Sequence, residues 1–440
     1  MAFDRIKYLN IIKLWYEKEK PKPLLLWGAR QVGKTHLMRR AAEMHFPNNL
    51  YLNFEKEKGL AELFRESLAP EKIIYNLSLH LERKIDPTLT VLIFDEIQEC
   101  DDALNSLKYF AESTHPYKVI AAGSLLGVKR SKKGFPVGQV QFLDIHPLSF
   151  VEFLEFKGHA KLSKELARAT SPQDFPQAFH ASLLQHQREY CWTGGMPEVV
   201  TTFVNNPSNP KGVREVQNQI LQSYQLDFAK HAPSDLVSKI SAVFDQIPQL
   251  LAKENKKFTY SGIGANARSR DFSDALTWLI DARIVQKVKN ISRIELPLAA
   301  HASDNIFKIY PLDVGLLGAL LEVPAKTILE LEGVFNNFKG ALAECFVAQE
   351  LLAHEFEKLY YWTSQGTAEI DFVIQRETQV LPLEVKSGVN VKSKSLKSFG
   401  DQYPLCKLSR CSTKKFEVQG KVTNYPLYAI SLFARNVSDV

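Results

Sequence analysis

Gly28-Ala-Arg-Gln-Val-Gly-Lys-Thr35 fits the phosphate-loop pattern G-x-x-x-x-G-K-[ST] without a gap or substitution. The flanks suit it. Pro23-Leu-Leu-Leu-Trp27 reads as a buried strand, and His36-Leu-Met-Arg-Arg-Ala-Ala-Glu43 reads as a helix. A loop so placed gathers backbone N–H groups at a helix N-terminus, which favours phosphate. Gly28, Ala29, Arg30, Gln31, Val32, Gly33, Lys34, Thr35 and His36 are the candidate nucleotide-binding residues. Lys34 can reach the β- and γ-phosphates of ATP, and Thr35 can coordinate Mg²⁺.

Working outward, residues 21–150 alternate apolar runs with helical patterns. The runs are Leu24–Trp27, Leu50–Phe54, Val91–Phe94, Val119–Ala122 and Val140–Ile145; Pro70–Arg83 and Asp102–Glu112 are helical. Such alternation predicts an α/β fold, a parallel sheet with helices on both faces. Thr90-Val-Leu-Ile-Phe-Asp95-Glu96 ends in two carboxylates, at the sheet edge where the phosphate loop also lies. Asp95 is then placed to hold Mg²⁺, and Glu96 to orient or deprotonate the attacking water. Ser124, after the next strand, can sense the γ-phosphate or simply satisfy a turn.

A chain of 440 residues has room for two to four domains. No run of eighteen apolar residues exists, and the N-terminus lacks an apolar signal core. Cys100, Cys191, Cys345, Cys406 and Cys411 are scattered, so neither a disulfide framework nor a zinc site is expected, and a reducing cytoplasm suits the chain. The net charge of +6 is local. Arg376–Lys421 carries ten basic and four acidic residues, and the rest of the chain balances. Such a segment suits a polyanion, nucleic acid first, or is a solvated lysine-rich surface.

Residues 150–235 read as mostly helical, with loops at Ser171–Pro176 and Asn205–Pro210 and a break at Gly194-Gly-Met-Pro197. In 236–330, helices at Leu236–Asn255 and Asp271–Asp281 precede β-rich runs at Ile284–Val288 and Phe307–Tyr310. That order is the plan of a winged helix, with Arg268 and Arg270 placed for DNA; a small α/β adaptor competes with it. In 331–440, a helix at Phe338–Glu355 leads to strands at Leu359–Thr363, Ile370–Gln375 and Val380–Val385. A helix at Ser395–Tyr403 and a strand at Leu427–Leu432 follow. Trp278 and Tyr360-Tyr-Trp362 read as core.

The chain resembles the bacterial and archaeal AAA-type ATPases that carry a C-terminal domain of the restriction-endonuclease fold. The resemblance rests on Gly28–Thr35, Val91–Glu96, Ala121-Ala-Gly-Ser124 and His146-Pro-Leu-Ser-Phe-Val-Glu-Phe-Leu154. It continues through Gly194-Gly-Met-Pro-Glu198, Tyr310-Pro-Leu-Asp-Val-Gly-Leu316 and Phe338-Lys-Gly-Ala-Leu-Ala-Glu344. It implies ATP binding and hydrolysis, and a division into a P-loop core (1–150), a helical lid (151–235), a winged helix (236–330) and a restriction-endonuclease-like domain (331–440).

Within the last segment, Asp371 followed by Leu383-Glu384-Val-Lys386 is the D…ExK pattern of metal nucleases. On a strand Glu384 and Lys386 face the same way. Asp371 and Glu384 can share Mg²⁺, which would polarise a phosphodiester, while Lys386 positions hydroxide or stabilises developing charge. Glu344 stands where the resembled family's helix carries its acidic residue and can complete the metal shell; Glu369 is a spare carboxylate. Three functional readings stay open: an ATPase controlling a DNA-binding or nuclease-like domain, a non-cutting switch that docks a protein partner or DNA, and a metal-dependent nuclease that the ATPase only gates. No arginine finger is assignable; Lys129, Arg130 and Arg188 are candidates without a geometric argument.

Overall fold

The computed structural model describes residues 4–123, 138–169, 177–253, 255–263, 268–330, 336–388 and 394–436. Ser124, Lys129, Arg130, Lys392 and the loop at Ser171–Pro176 lie outside them. The chain divides into two compact units: Met1–Ile145 with Asp281–Arg283, and His146–Ile280 with Ile284–Val440. Among the described residues no helix is long and apolar enough to cross a membrane.

The first unit is built on five parallel strands. They are β1 (Leu24–Trp27), β2 (Asn49–Asn53), β3 (Val91–Asp95), β4 (Lys118–Ala122) and β5 (Gln141–Asp144), in the order β2-β3-β4-β1-β5. The apolar runs sit where the sequence places strands, because strands buried on both faces must be apolar throughout. β3 is buried along its whole length. Phe54, Phe64 and Phe110 meet Phe94 edge-on at 5.6, 5.5 and 6.1 Å, which fixes the helices over one face.

The second unit joins a helical part to a single mixed sheet. Its helices run Phe150–Phe156, Ala160–Arg168, His180–Thr193, Pro197–Asn205 and Pro210–His231, as the sequence suggests for 150–235. Among the described residues the sheet has eight strands: β6 (Val285–Ile291), β7 (Ala302–Pro311), β8 (Leu359–Thr363), β9 (Glu369–Arg376), β10 (Gln379–Val385), β11 (Leu408–Ser412), β12 (Glu417–Gln419) and β13 (Val422–Pro426). Their order is β12-β13-β11-β10-β9-β8-β6-β7.

Helices Val237–Leu251 and Ser269–Asp281 do precede an antiparallel hairpin, β6–β7. That hairpin is no free-standing wing. β6 pairs in parallel with β8, Val288 opposite Leu359 through Ile291 opposite Trp362. The boundary drawn from sequence at 330/331 therefore runs through one sheet. Trp278 packs edge-on against Phe228 at 5.4 Å, and Tyr360, Tyr361 and Trp362 are buried, as core residues should be.

The expected strand at Leu427–Leu432 is instead a 3-10 turn, Leu427–Ala429, running into the helix Ile430–Asn436. Leu427 through Ala434 are all buried, so the segment is apolar on every side and has no periodicity to read. β11, β12 and β13 escape detection because they are short and carry Ser409, Arg410, Ser412 and Asn424, polar residues that the fold buries.

The family-like motifs of the second unit converge on one buried carboxylate, Asp313. Its Oδ1 accepts from the Leu316 N–H at 3.0 Å, capping the helix Val314–Leu320. Its Oδ2 accepts from the Gly195 N–H at 2.6 Å and from Gln349 Nε2 at 3.1 Å. Gln349 Nε2 also meets the Tyr190 hydroxyl at 2.8 Å, and Tyr190 donates to the Leu148 carbonyl. Burial pushes Asp313 up to about 6 against these hydrogen bonds. Nearby, Glu350 Oε1 accepts from the Phe150 N–H at 2.7 Å, and burial pushes Glu350 up to about 8.

Gly194 has φ +74° and ψ −167°, a region nearly closed to other residues, and a Cβ on it would lie 1.9 Å from Asp313 Oδ1. Gly194→Ala should cost the second unit about 3 kcal/mol or more, read as a lower thermal unfolding midpoint. Glu350 titrates higher folded than unfolded, so its contribution is complete below the ordinary Glu range and is lost as pH rises towards 8. The midpoint of the second unit should therefore fall between pH 5 and pH 8, and Glu350→Gln should flatten that fall; the limit for one group is about 1.4 kcal/mol per pH unit.

Candidate functional site

The phosphate loop leaves β1 and enters the helix Lys34–His45. The backbone takes positive φ at Gln31 (67°) and at Gly33 (95°), which turns successive N–H groups inward. Gly28 has no room for a side chain: a Cβ would lie 2.3 Å from the Ile145 carbonyl oxygen. Ala29 and Val32 are buried, Arg30 is half-buried, and His36 is exposed on the first helical turn. Lys34 Nζ donates to the carbonyls of Gly28 and Ala29 at 2.9 and 2.8 Å, so its ammonium lies within the loop.

Thr35 and Asp95 lie side by side. The Thr35 hydroxyl donates to Asp95 Oδ1 at 3.1 Å. Asp95 is buried at the end of β3, opposite Asn53 of β2. A hydroxyl and a carboxylate side by side are the hard oxygen donors that Mg²⁺ takes beside phosphate oxygens, so these residues fit the ion. Glu96 follows in a left-handed conformation, φ 52°, which turns the chain sharply off the strand. Gln98 Nε2 donates to Glu96 Oε2 at 2.5 Å and holds the carboxylate in place.

Three residues of this site escape sequence reasoning. Tyr51 donates its hydroxyl to Asp95 Oδ2, and Asn53 Nδ2 reaches the Tyr51 oxygen at 3.4 Å. Burial, and then the bond to Asp95, raise the Tyr51 phenol above its ordinary value, which keeps it a donor. Gln98 is the third. Gly123, at the end of β4, makes room for it: a Cβ there would come within 2.6 Å of Gln98 Oε1. None of the three has a motif; adjacency of β2 to β3 is what supplies Tyr51 and Asn53.

The second candidate centre is assembled on β7, β9, β10 and the helix Asn336–Ala353. Glu369 and Asp371 share a face of β9. Asp371 Oδ2 accepts from the Val385 N–H at 2.8 Å, which ties it to β10. Glu384 and Lys386 pair with each other, Oε1 to Nζ, at 2.9 Å. Glu344 accepts from the Tyr310 hydroxyl at 2.7 Å and from Lys256.

Among three of these carboxylates, Glu344, Glu369 and Asp371, stands Lys308, which sequence reasoning missed. It has 0% exposure, and its Nζ lies 2.7 Å from Glu369, 3.5 Å from Glu344 and 3.7 Å from Asp371. Burial opposes its charge, but Glu344, Asp371 and Glu369 outweigh that and keep it protonated. Burial also acts against the charge of Glu344, yet Lys308 and Lys256 hold it below the usual range; burial and the Glu344 charge raise Asp371. Among the described residues, no group of three or more His, Cys, Asp or Glu side chains is arranged to hold a metal ion. The residues therefore do not fit the Mg²⁺ expected at Glu344, Asp371 and Glu384, because the Lys308 ammonium already lies against two of the three, Glu344 and Asp371.

The basic segment is partly spent inside the fold. Arg376 donates to the Ala434 carbonyl at 3.0 Å, Arg410 is buried against Asn424 at 2.9 Å, and Lys414 pairs with Glu417 at 3.7 Å. Lys394, Lys397, Lys407, Lys415 and Lys421 are exposed.

Three family models match the chain. Residues 20–154 match an AAA domain, 184–327 a domain of unknown function (DUF8612), and 339–432 another domain of unknown function (DUF4143). No curated protein matches. Among solved structures, a Walker-type ATPase of Pyrococcus abyssi is similar at 15% identity and a TM-score of 0.44, covering 72% of this chain and 96% of that one. The Aeropyrum pernix Orc1 protein in complex with DNA is similar at 13% identity and a TM-score of 0.32, covering 75% and 95%. Drosophila ORC bound to DNA follows at 14% and 0.30, covering 72% and 94%. The chain thus carries an AAA-type P-loop domain followed by segments that match two families of unassigned function.

Proposed function

We propose that the first unit is an Mg²⁺-dependent ATP hydrolase whose nucleotide state controls the second unit. The observation that carries this reading is the Thr35–Asp95 hydrogen bond, which joins the first turn after the phosphate loop to the end of β3. The loop N–H groups and Lys34 bind the phosphates of ATP. Thr35 and Asp95 hold Mg²⁺, which neutralises charge on the phosphates when bound. Glu96, oriented by Gln98, takes a proton from the attacking water. Tyr51 keeps the second Asp95 oxygen from turning away. Ser124 remains the candidate γ-phosphate sensor.

The second unit is the output in this reading. Its exposed lysines between Arg376 and Lys421 suit a polyanion such as DNA, and Arg268 and Arg270 add charge on the helix side. A second reading, a non-cutting switch that docks a partner through this unit, is favoured by Lys308 among the carboxylates.

Lys34→Ala should abolish ATP turnover and weaken nucleotide binding. Glu96→Gln should keep binding and lower kcat by about 10²–10⁴-fold; turnover left intact would remove Glu96 as the base. Duplex DNA affinity, followed by fluorescence anisotropy with and without ATP, should fall steeply with salt. An affinity indifferent to salt would rule out the lysine surface as a phosphate-binding face.

A further inference from the structure

We propose that Lys308 holds the place of the divalent cation in the D…ExK centre, so that this centre is closed by the protein's own ammonium groups and takes no metal. The cluster is close to neutral without an ion. Glu344, Glu369, Asp371 and Glu384 are faced by Lys256, Lys308 and Lys386, three cations against four carboxylates. One divalent ion would turn that small deficit into an excess of positive charge in a buried site, which is strongly unfavourable. Lys308 cannot withdraw to make room. It stands on a paired strand with its side chain fully enclosed, its Nζ 5.1 Å from the centroid of the Tyr361 ring. Lys256 and Lys386 are half-buried, and each is held by a carboxylate, Glu344 and Glu384.

The origin of the charges gives the centre a different purpose. Lys308 lies in the segment matching the first family of unknown function, while all four carboxylates lie in the segment matching the second. Lys256, also in the first segment, pairs with Glu344. The ion pairs therefore bind the two segments together where their strands share a sheet. Without a metal to polarise the phosphodiester, Glu384 and Lys386 lack the group that would generate the nucleophile, and the unit binds or docks without cutting.

The test uses full-length protein carrying Asp95→Asn, free of nucleotide, so that the P-loop neither holds the ion nor affects the outcome whether or not it hydrolyses ATP. Mn²⁺ is the probe, read by electron paramagnetic resonance and by the thermal midpoint. The expected result is no retained Mn²⁺ and no shift in midpoint. Lys308→Met should lower the midpoint by about 10 °C, since it leaves buried carboxylates unpaired, and Mn²⁺ should then restore several degrees. Adding Asp371→Asn should remove that rescue. A Lys308→Met protein that folds yet ignores Mn²⁺ would overturn the proposal. Should that variant not fold, Lys256→Ala, which leaves Lys308 in place, decides: it should still retain no Mn²⁺. One Mn²⁺ retained with Lys308 intact, and lost on Asp371→Asn or Glu384→Gln, overturns the proposal, as does Mg²⁺- or Mn²⁺-dependent nicking of plasmid DNA that Glu384→Gln abolishes.

Discussion

A carboxylate with no access to water must be surrounded by donors, and Asp313 shows how much of a fold that demand can organise. Its two oxygens take the N-terminus of the helix Val314–Leu320, the N–H of Gly195 and the amide of Gln349. Those donors come from distant parts of the second unit, so each must sit where the carboxylate requires. The backbone at Gly194-Gly195 then has no space for side chains. A Cβ on Gly195 would lie 2.1 Å from the Leu148 carbonyl, and one on Gly315 would lie 2.3 Å from the Thr193 carbonyl. Motifs that look like family signatures in the sequence are, in the structure, the parts of one buried knot.

The nucleotide site depends on a comparable economy. Asp95 receives hydrogen bonds from Thr35, Tyr51 and the Glu96 backbone, so a single buried carboxylate aligns the phosphate-loop helix, β2 and the turn after β3. Glu96 leaves the strand in a left-handed conformation, which lets its carboxylate meet Gln98 within the same turn. Backbone strain of about 1 kcal/mol or more is tolerated there because the surrounding contacts determine the geometry.

The C-terminal centre shows why short catalytic patterns need their surroundings. Asp371 and Glu384 are on strands, and Lys386, the residue after β10, pairs with Glu384. Nothing in D…ExK reveals that Lys308, some sixty residues upstream of Asp371, enters the same space. β7 reaches the carboxylates only because β6 pairs with β8, and that pairing joins segments that look like separate domains in the sequence. The same physics governs both centres: a buried charge is kept only with its partner. In the first unit the partners of Asp95 are the hydroxyls of Thr35 and Tyr51 and the Glu96 N–H; in the second the partner of the carboxylates is the Lys308 ammonium.

By itself the sequence determined the P-loop sheet. Its strands are continuous apolar runs, and its loop is a local pattern whose glycines answer local backbone needs. It likewise showed 150–235 to be mostly helical and placed the strands β8, β9 and β10. Tertiary structure alone decided the rest. Leu427–Leu432 became helix because burial on every side erases the alternation that would distinguish a strand. Tyr51 and Gln98 entered the nucleotide site through strand adjacency and a sharp turn. Lys308 entered the carboxylate cluster through a parallel pairing between strands about seventy residues apart in the chain. Local periodicity records which side chains need burial, but which buried charge meets which is settled only when non-local strands pair.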